Sequence, residues 1–533
     1  MQKVICLVLN ADTPFIRETG TQFTFQEMPL FESIEDTLLP LLELCERLEA
    51  EHIHFRFALV LPPILCQLLT DGLVSKRYLN YVDNRIAFGE AEMARLKNDG
   101  AAFELAAFYH NEAIKKRDRF CSRYQMNLLR SLLDFSRRGY IEFLGGTATN
   151  IFLPFYSAFP AIANAQVETA RRSERRFFRN LPEGFWLPEL GFYKGLDTLL
   201  RKHRFAWTIV DTHATLLAEP APLLGSFYPV KTGEELICLT RDFFAIDEIM
   251  NITGNYTNSA FRSYFDDAGF ELPAGAVSFF ISSNGLRSPT GYKYRTTGKD
   301  GFGKEIYNPV RGEEAARDKA RQFLRNRISA LENAETIIKK PPVSICAYNA
   351  GFFGRFWYEG MHFLDELFRN AAKSNEVKFL TPSEYLENLD ILEFQTINPS
   401  FSSQGYNGYG ESYLDSSNDW IYRHLLRASE RMTSLADRFK SGGDELQERA
   451  LNQAAREILL AQTSDWTRII STGEHYLTRE WSNYAKNRLE THIRNFTTFY
   501  EALGSNHIST RLLTELELTN NIFPEMNYRV FCS

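Results

Sequence analysis

Short continuous apolar runs punctuate the first two thirds of the chain, at 4–9, 55–61, 141–144, 185–187, 207–210, 236–239, 277–281 and 343–347. A run apolar at every position is the pattern of a strand buried on both faces, so seven or eight parallel strands are predicted. Between most of them lie amphipathic segments such as NAQVETARRSERRFFRNL and EEAARDKARQFLRNRISALENAETIIKK, long enough to be crossover helices. This pattern predicts a β/α barrel. The competing open doubly wound sheet lacks its usual G-x-G-x-x-G turn between a strand and a helix.

Two gaps exceed a simple crossover. Residues 71–138 are polar with helical periodicity and are predicted to form an inserted helical subdomain, so the barrel is expected to comprise 1–70 and 139–397. Residues 284–312, rich in Gly, Lys, Arg and Tyr, are predicted as a long surface loop. Beyond residue 398 the stretch PSFSSQGYNGYGES resembles a linker, and a C-terminal helical domain follows to 533. Its first clear helix is marked by the apolar stripe 446, 450, 451, 454, 455, 458 and 459.

Composition narrows the function. The net charge of -7, without a long basic run, disfavours nucleic acid or an anionic membrane as partner. Aromatic residues reach 14%, a composition for burying surface, and the charge balance suits a neutral or small ligand better. Seven scattered cysteines with no C-x-x-C spacing speak against a zinc site or a disulfide frame. With no signal-like h-region and no long apolar run, a cytoplasmic protein that needs no metal or cofactor is expected.

In parallel β/α barrels chemistry sits at the carboxyl ends of the strands. The predicted strands deliver Asn10 and Asp12; Thr149 and Asn150; Trp186 and Glu189; Asp211 and His213; Arg241 and Asp242; Tyr348, Asn349 and Trp357. Glu189 follows Trp-Leu-Pro, a strand end and rigid turn, and is the foremost candidate. As alternatives it caps a helix dipole, Asp211 and His213 are ordinary polar partners, and the two tryptophans belong to the core. His52 and His54 invite comparison with a metal-dependent deacetylase, but precede the second strand, at the wrong barrel face.

The phrases GFWLPELGFY, FAWTIVDTHATLLA, AYNAGFFGRFWYEG, TPSEYL, NDWIYRHLLRASERM and AAREILLAQTSDWTRIISTG, in this order, resemble glycoside hydrolase family 57, specifically its 1,4-α-glucan branching enzymes with a C-terminal helical domain. The resemblance implies a distorted (β/α)7 barrel acting on α-1,4-glucan with retention, through a glutamate nucleophile and an aspartic acid that protonates the departing oxygen. Glu189 falls on the nucleophile and Asn349 on the acid. Two family histidines fall on Asn10 and Asn150, and a third on Asp12. Family tryptophans at glucan-facing loops fall on Met250, Tyr406 and Tyr413. Asp211, His213, Arg241, Asp242, Asp465 and Trp466 match, and with Trp186 and Trp357 complete the expected substrate-binding set.

Retaining chemistry needs two carboxyl groups about 5 to 5.5 Å apart. An amide at 349 supplies none, so impaired catalysis is the first expectation, with a remaining role in binding α-1,4-glucan or maltooligosaccharide, or in partnering another glycogen enzyme. The alternative is an active enzyme in which Asp12 replaces the missing acid, favoured if Asp12 lies within about 6 Å of Glu189. Tyr348 and the loop near Tyr256 are further substitute donors, and Phe192, Phe352 or Phe353 would close the site if they filled the mouth.

Overall fold

The computed structural model describes residues 2–20, 22–254, 259–297, 305–473 and 477–533. Its strands are β1 (Lys3–Asn10), β2 (Phe57–Val60), β3 (Ile141–Leu144), β4 (Gly184–Phe185), β5 (Trp207–Val210), β6 (Val230–Lys231), β7 (Ile237–Thr240), β8 (Val343–Asn349) and β9 (Val377–Phe379). Two sheets, ordered β3-β2-β1-β8 and β4-β5-β7-β6, are joined by single parallel bridges, Gly145 to Phe185 and Arg241 to Ile345. Seven parallel strands thereby close a ring: β1, β2, β3, β4, β5, β7, β8 and back to β1. β9 pairs with the amino end of β1, and β6 runs antiparallel on β7.

Side chains alternate as the pleat demands. Cys6 and Val8 of β1, Ile209 of β5 and Val343, Ile345 and Ala347 of β8 fill the barrel interior. Ile5, Leu7 and Leu9 face the surrounding helices. Parity therefore turns Asn10 and Asn349 inward and Tyr348 outward. The Tyr348 hydroxyl donates to the Ala245 carbonyl at 3.0 Å, on the helix Phe243–Gly254, which removes it as a substitute acid.

Three sequence expectations need correction. Residues 277–281 are not a strand but a single turn, Ser278–Phe280. Val277, which precedes the turn, and Phe280 are buried at helical spacing, and Phe280 packs against Phe23, Tyr81 and Phe88 rather than joining the barrel. The described parts of 284–312 are stitched to the helical insert: the Tyr292 hydroxyl donates to Arg85 O at 3.0 Å, and the Tyr109 hydroxyl to Lys293 O at 2.7 Å. Residues 298–304, like Tyr256, lie outside the described residues. The stretch after 398 is no free linker, since Ser402 pairs with Phe192 and Ser402 and Ser403 are buried.

The insert consists of the helices Gly72–Arg95 and Gly100–Asp118, packed as a hairpin, then Leu128–Arg137 leading into β3. Asp71 caps the first, accepting from Leu73 N at 2.8 Å and Val74 N at 3.2 Å. In the C-terminal region the striped segment is the helix Glu445–Ala461, with a capping box at Asp444 and Gln447. A buried polar chain ties this region to the barrel. Thr149 Oγ1 donates to Leu459 O at 3.0 Å, Gln166 Nε2 to Gln462 Oε1 at 2.9 Å, and Gln462 Nε2 to Ser429 Oγ at 2.8 Å.

In β4 the fully buried Trp207 lies against Gly184, where a Cβ would sit 2.1 Å from the indole. Gly184→Ala is expected to lower unfolding stability by about 1 to 3 kcal/mol through overpacking. Denaturant titration read by tryptophan fluorescence measures this, and an unchanged midpoint contradicts that packing.

Candidate functional site

At the carboxyl ends of the strands lies a cavity of about 680 Å³ lined by Asp12, Glu189, Asn349, Trp357, Gln404, Tyr413, Asp465 and Arg468, with Phe261, Tyr264, Phe352 and Trp481 among its aromatic walls. That volume suits a small ligand or several sugar rings. Phe352 forms part of the wall, while Phe192 and Phe353 are buried in the core, so none of the three fills the cavity.

Glu189 sits in the turn Pro188–Leu190 that follows β4, and both it and Leu190 are left-handed, with φ 56° and 50°. Two consecutive non-glycine residues in that region cost energy and persist only where the surroundings enforce them. Here Gln404 N donates to Glu189 O at 2.7 Å, and Leu190 N to Leu187 O at 2.9 Å. The carboxylate so presented meets four donors. Asn150 Nδ2 lies 2.9 Å and Ser464 Oγ 3.1 Å from Oε1; Gln404 Nε2 and the Tyr413 hydroxyl each lie 2.6 Å from Oε2.

Asp12, two residues beyond β1, faces the same cavity. Asn349 Nδ2 donates to its Oδ1 at 2.8 Å, and the Asn349 amide is fixed by Gly351 N donating to Asn349 Oδ1 at 2.8 Å. Asn150 Nδ2 lies 3.4 Å from Asp12 Oδ2. One amide nitrogen thus spans the two carboxyl groups, so Asp12 Oδ2 and Glu189 Oε1 are no further apart than 3.4 Å and 2.9 Å laid end to end. Burial, then the carboxylates of Asp465 and Glu189, push the Asp12 carboxyl from 3.8 to about 7, with Arg468 pulling the other way.

The remaining sequence candidates divide by position. Trp357 lines the cavity. Asn150 reaches both carboxyl groups. Asp211, Arg241 and His213 form a cluster behind the site: Arg241 pairs with Asp211, and His213 Nδ1 lies 3.6 Å from Asp211 Oδ1. Burial raises the Asp211 carboxyl, but the His213 bond and the Arg241 charge outweigh it and hold it low; the same carboxylate raises His213. His213 Nε2 donates to Gly408 O at 2.8 Å, pinning the strap that carries Gln404 and Tyr413.

Others are structural. Asp242 accepts from Arg327 Nη1 at 2.8 Å and caps the helix after β7 through Ala245 N at 3.1 Å. Trp466 is buried and donates to Leu460 O at 2.9 Å, and Trp186 belongs to the barrel core. Asn10 is buried beneath the mouth, and Tyr406 is 76% exposed on the strap, neither of them lining the cavity. His54 bonds to Phe379 O at 2.9 Å, at the amino side of the barrel.

Residue types alone did not single out Gln404, Ser464 or Arg468. The Gly/Ser-rich texture of 398–411 concealed a folded strap in which Gly405, Gly408 and Gly410 adopt φ of 95°, 81° and 93°. The C-terminal contribution enters through the first turn of the helix Ser464–Thr472. Ser464 N and Oγ contact Asn150 O at 2.7 Å and 2.6 Å, and Thr463 pairs with Ile151.

The buried acid has a consequence for stability. The native state retains the Asp12 proton up to pH about 7, whereas the unfolded chain releases it near 3.8, so this residue favours folding less and less as pH rises between those values. Asp12→Asn is expected to raise the thermal midpoint relative to the parent more at pH 8 than at pH 5. Calorimetry at both pH values checks this, and an equal shift contradicts the burial of this charge.

Comparison with known proteins accords with this site. The model of glycosyl hydrolase family 57 matches residues 6–397, and that of the 1,4-α-glucan branching enzyme C-terminal region matches 424–531. A curated 1,4-α-glucan branching enzyme of Thermococcus kodakarensis is 25% identical over 98% of this chain and 78% of its own length. The crystal structure of the α-amylase AmyC of Thermotoga maritima superposes with TM-score 0.90 at 31% identity, covering 100% of this chain and 99% of that one. The family 57 branching enzyme of Pyrococcus horikoshii has the same fold, with TM-score 0.87 at 22% identity over 100% and 97% of the two chains. A ring of seven strands with a carboxylate strained into its mouth, together with a family match across most of the sequence, makes this chain a member of glycosyl hydrolase family 57 of the branching-enzyme-like kind.

Proposed function

We propose that the chain is a catalytically competent retaining enzyme on α-1,4-glucan, with Glu189 as nucleophile and Asp12 as the acid and base. The observation that carries this reading is the Asn150 amide held between the two carboxyl groups, with Asp12 protonated near neutrality. A carboxyl of pKa about 7 is poised both to give a proton to a departing oxygen and to take one back. Asn349, at the position where the family's acid is expected, then orients Asp12 instead of replacing it. Its 2.8 Å bond holds Oδ1, while Oδ2 faces Asn150 and, beyond it, Glu189.

The cycle follows. Glu189 attacks the anomeric carbon, the C–O bond breaks toward the leaving chain, and Asp12 protonates that oxygen. A hydroxyl of a second glucan or a water then attacks the glycosyl-enzyme as Asp12 removes its proton. The aromatic walls and the relatives' names, branching enzyme and α-amylase, support an α-glucan as substrate. A reading as a glucan-binding protein without catalysis rests on the amide at 349. It is the weaker reading because a second carboxyl faces the same cavity.

The test is amylose incubated with purified protein, read by reducing ends and debranched chain length, with α-maltosyl fluoride in parallel. Asp12→Asn is expected to lose about 10² to 10⁴ in rate on amylose but to keep the initial burst of fluoride release, whose leaving group needs less proton help, with the later turnover slowed by loss of the base. Glu189→Gln is expected to lose both. The double exchange Asp12→Asn with Asn349→Asp is expected to recover part of the amylose rate, and the parent rate is expected to fall as pH rises through about 7, where Asp12 loses its proton. A parent inert on amylose and on the fluoride contradicts the proposal.

A further inference from the structure

Both oxygens of Glu189 are engaged, but unequally. Ser464 has one proton, and its hydroxyl is closer to Asn150 O, at 2.6 Å, than to Glu189 Oε1, at 3.1 Å. Oε1 therefore rests mainly on Asn150, at 2.9 Å. Oε2 receives Gln404 Nε2 and the Tyr413 hydroxyl, both at 2.6 Å. A carboxylate oxygen accepts only, so the Gln404 atom at this contact is an N–H. Burial, then the Glu189 charge, push the Tyr413 hydroxyl well above its ordinary 10, so it stays a donor at any working pH.

Resting on the assignment of Glu189 as nucleophile, we propose that Tyr413 and Gln404 are further catalytic residues, which hold Oε2 as the non-attacking oxygen and stabilise Glu189 as the leaving group of the second half-reaction. In the first step Oε1 bonds to the anomeric carbon, the negative charge of the carboxylate is spent, and the donors on Oε2 face a neutral ester carbonyl. In the second step an acceptor hydroxyl attacks the same carbon and its proton passes to Asp12. The C–Oε1 bond then breaks with its electron pair returning to Glu189, and charge reappears on Oε2 between two short donors. Hydrogen bonds to charged groups are the stronger ones, so these two favour release of the glycosyl group over its capture.

The strap that carries both donors is fixed independently of them. His213 holds Gly408 O, Gly410 N donates to Ser403 Oγ at 2.8 Å, and Phe192 bridges Ser402. Tyr413→Phe keeps the ring, which stacks on Phe152 with centroids 5.0 Å apart, and deletes only the donor.

The experiment is stopped-flow release of fluoride from α-maltosyl fluoride by the full chain, with intact-mass detection of the glycosyl-enzyme. Tyr413→Phe is expected to show a burst near one equivalent, a steady state about 10- to 100-fold slower than the parent, and an accumulated adduct. Gln404→Leu is expected to act in the same direction. Equal slowing of burst and steady state, or no change in either, overturns the proposal. Because fluoride departs without an acid, failure of the Asp12 assignment leaves this result intact. Undiminished turnover by Glu189→Gln would instead overturn the nucleophile assignment on which it rests.

Discussion

A single amide nitrogen, Nδ2 of Asn150, lies between two carboxyl groups that arrive from opposite parts of the barrel ring, Asp12 beyond β1 and Glu189 beyond β4. Two like charges at this separation repel, and the site answers with unlike environments. Glu189 is surrounded by donors that suit an anion, whereas Asp12 is buried beside Asp465 and keeps its proton to about 7. On the proposed assignment, division of two chemically similar groups into a nucleophile and an acid follows from their neighbours.

The scaffold serves this arrangement. Strand parity turns Asn349 toward the mouth and Tyr348 away from it. The left-handed turn at Glu189 and Leu190 aims the carboxylate across the cavity. The strap after 398 and the first turn of the helix Ser464–Thr472 then close on it from the C-terminal region, so that the final quarter of the chain completes the site that the barrel begins.

Much of this was legible in the sequence, and for stated reasons. Continuous apolar runs identify strands buried on both faces, so β1, β3, β5 and β8 were found almost to the residue. The same rule misread 277–281, because an apolar run that covers a neighbouring aromatic cluster looks the same as one that enters a barrel. The short strands β6 and β9 carry too few residues to show a pattern. Glu189, Asp12, Asn150 and Asn349 were identified from position and resemblance, yet their consequence depended on a distance that residue types do not encode. The strap was missed because glycines that permit left-handed turns give the same composition as glycines in a flexible linker.

The central claim, that Asp12 stands where the family's acid would act, is tested most directly by the crystal structure of the Glu189→Gln variant bound to maltoheptaose. The account predicts a glycosidic oxygen within about 2.6 to 3.2 Å of an Asp12 carboxyl oxygen, on the side of the scissile bond away from residue 189. A bound chain whose glycosidic oxygen contacts the Asn349 amide while Asp12 is turned toward the protein would contradict it.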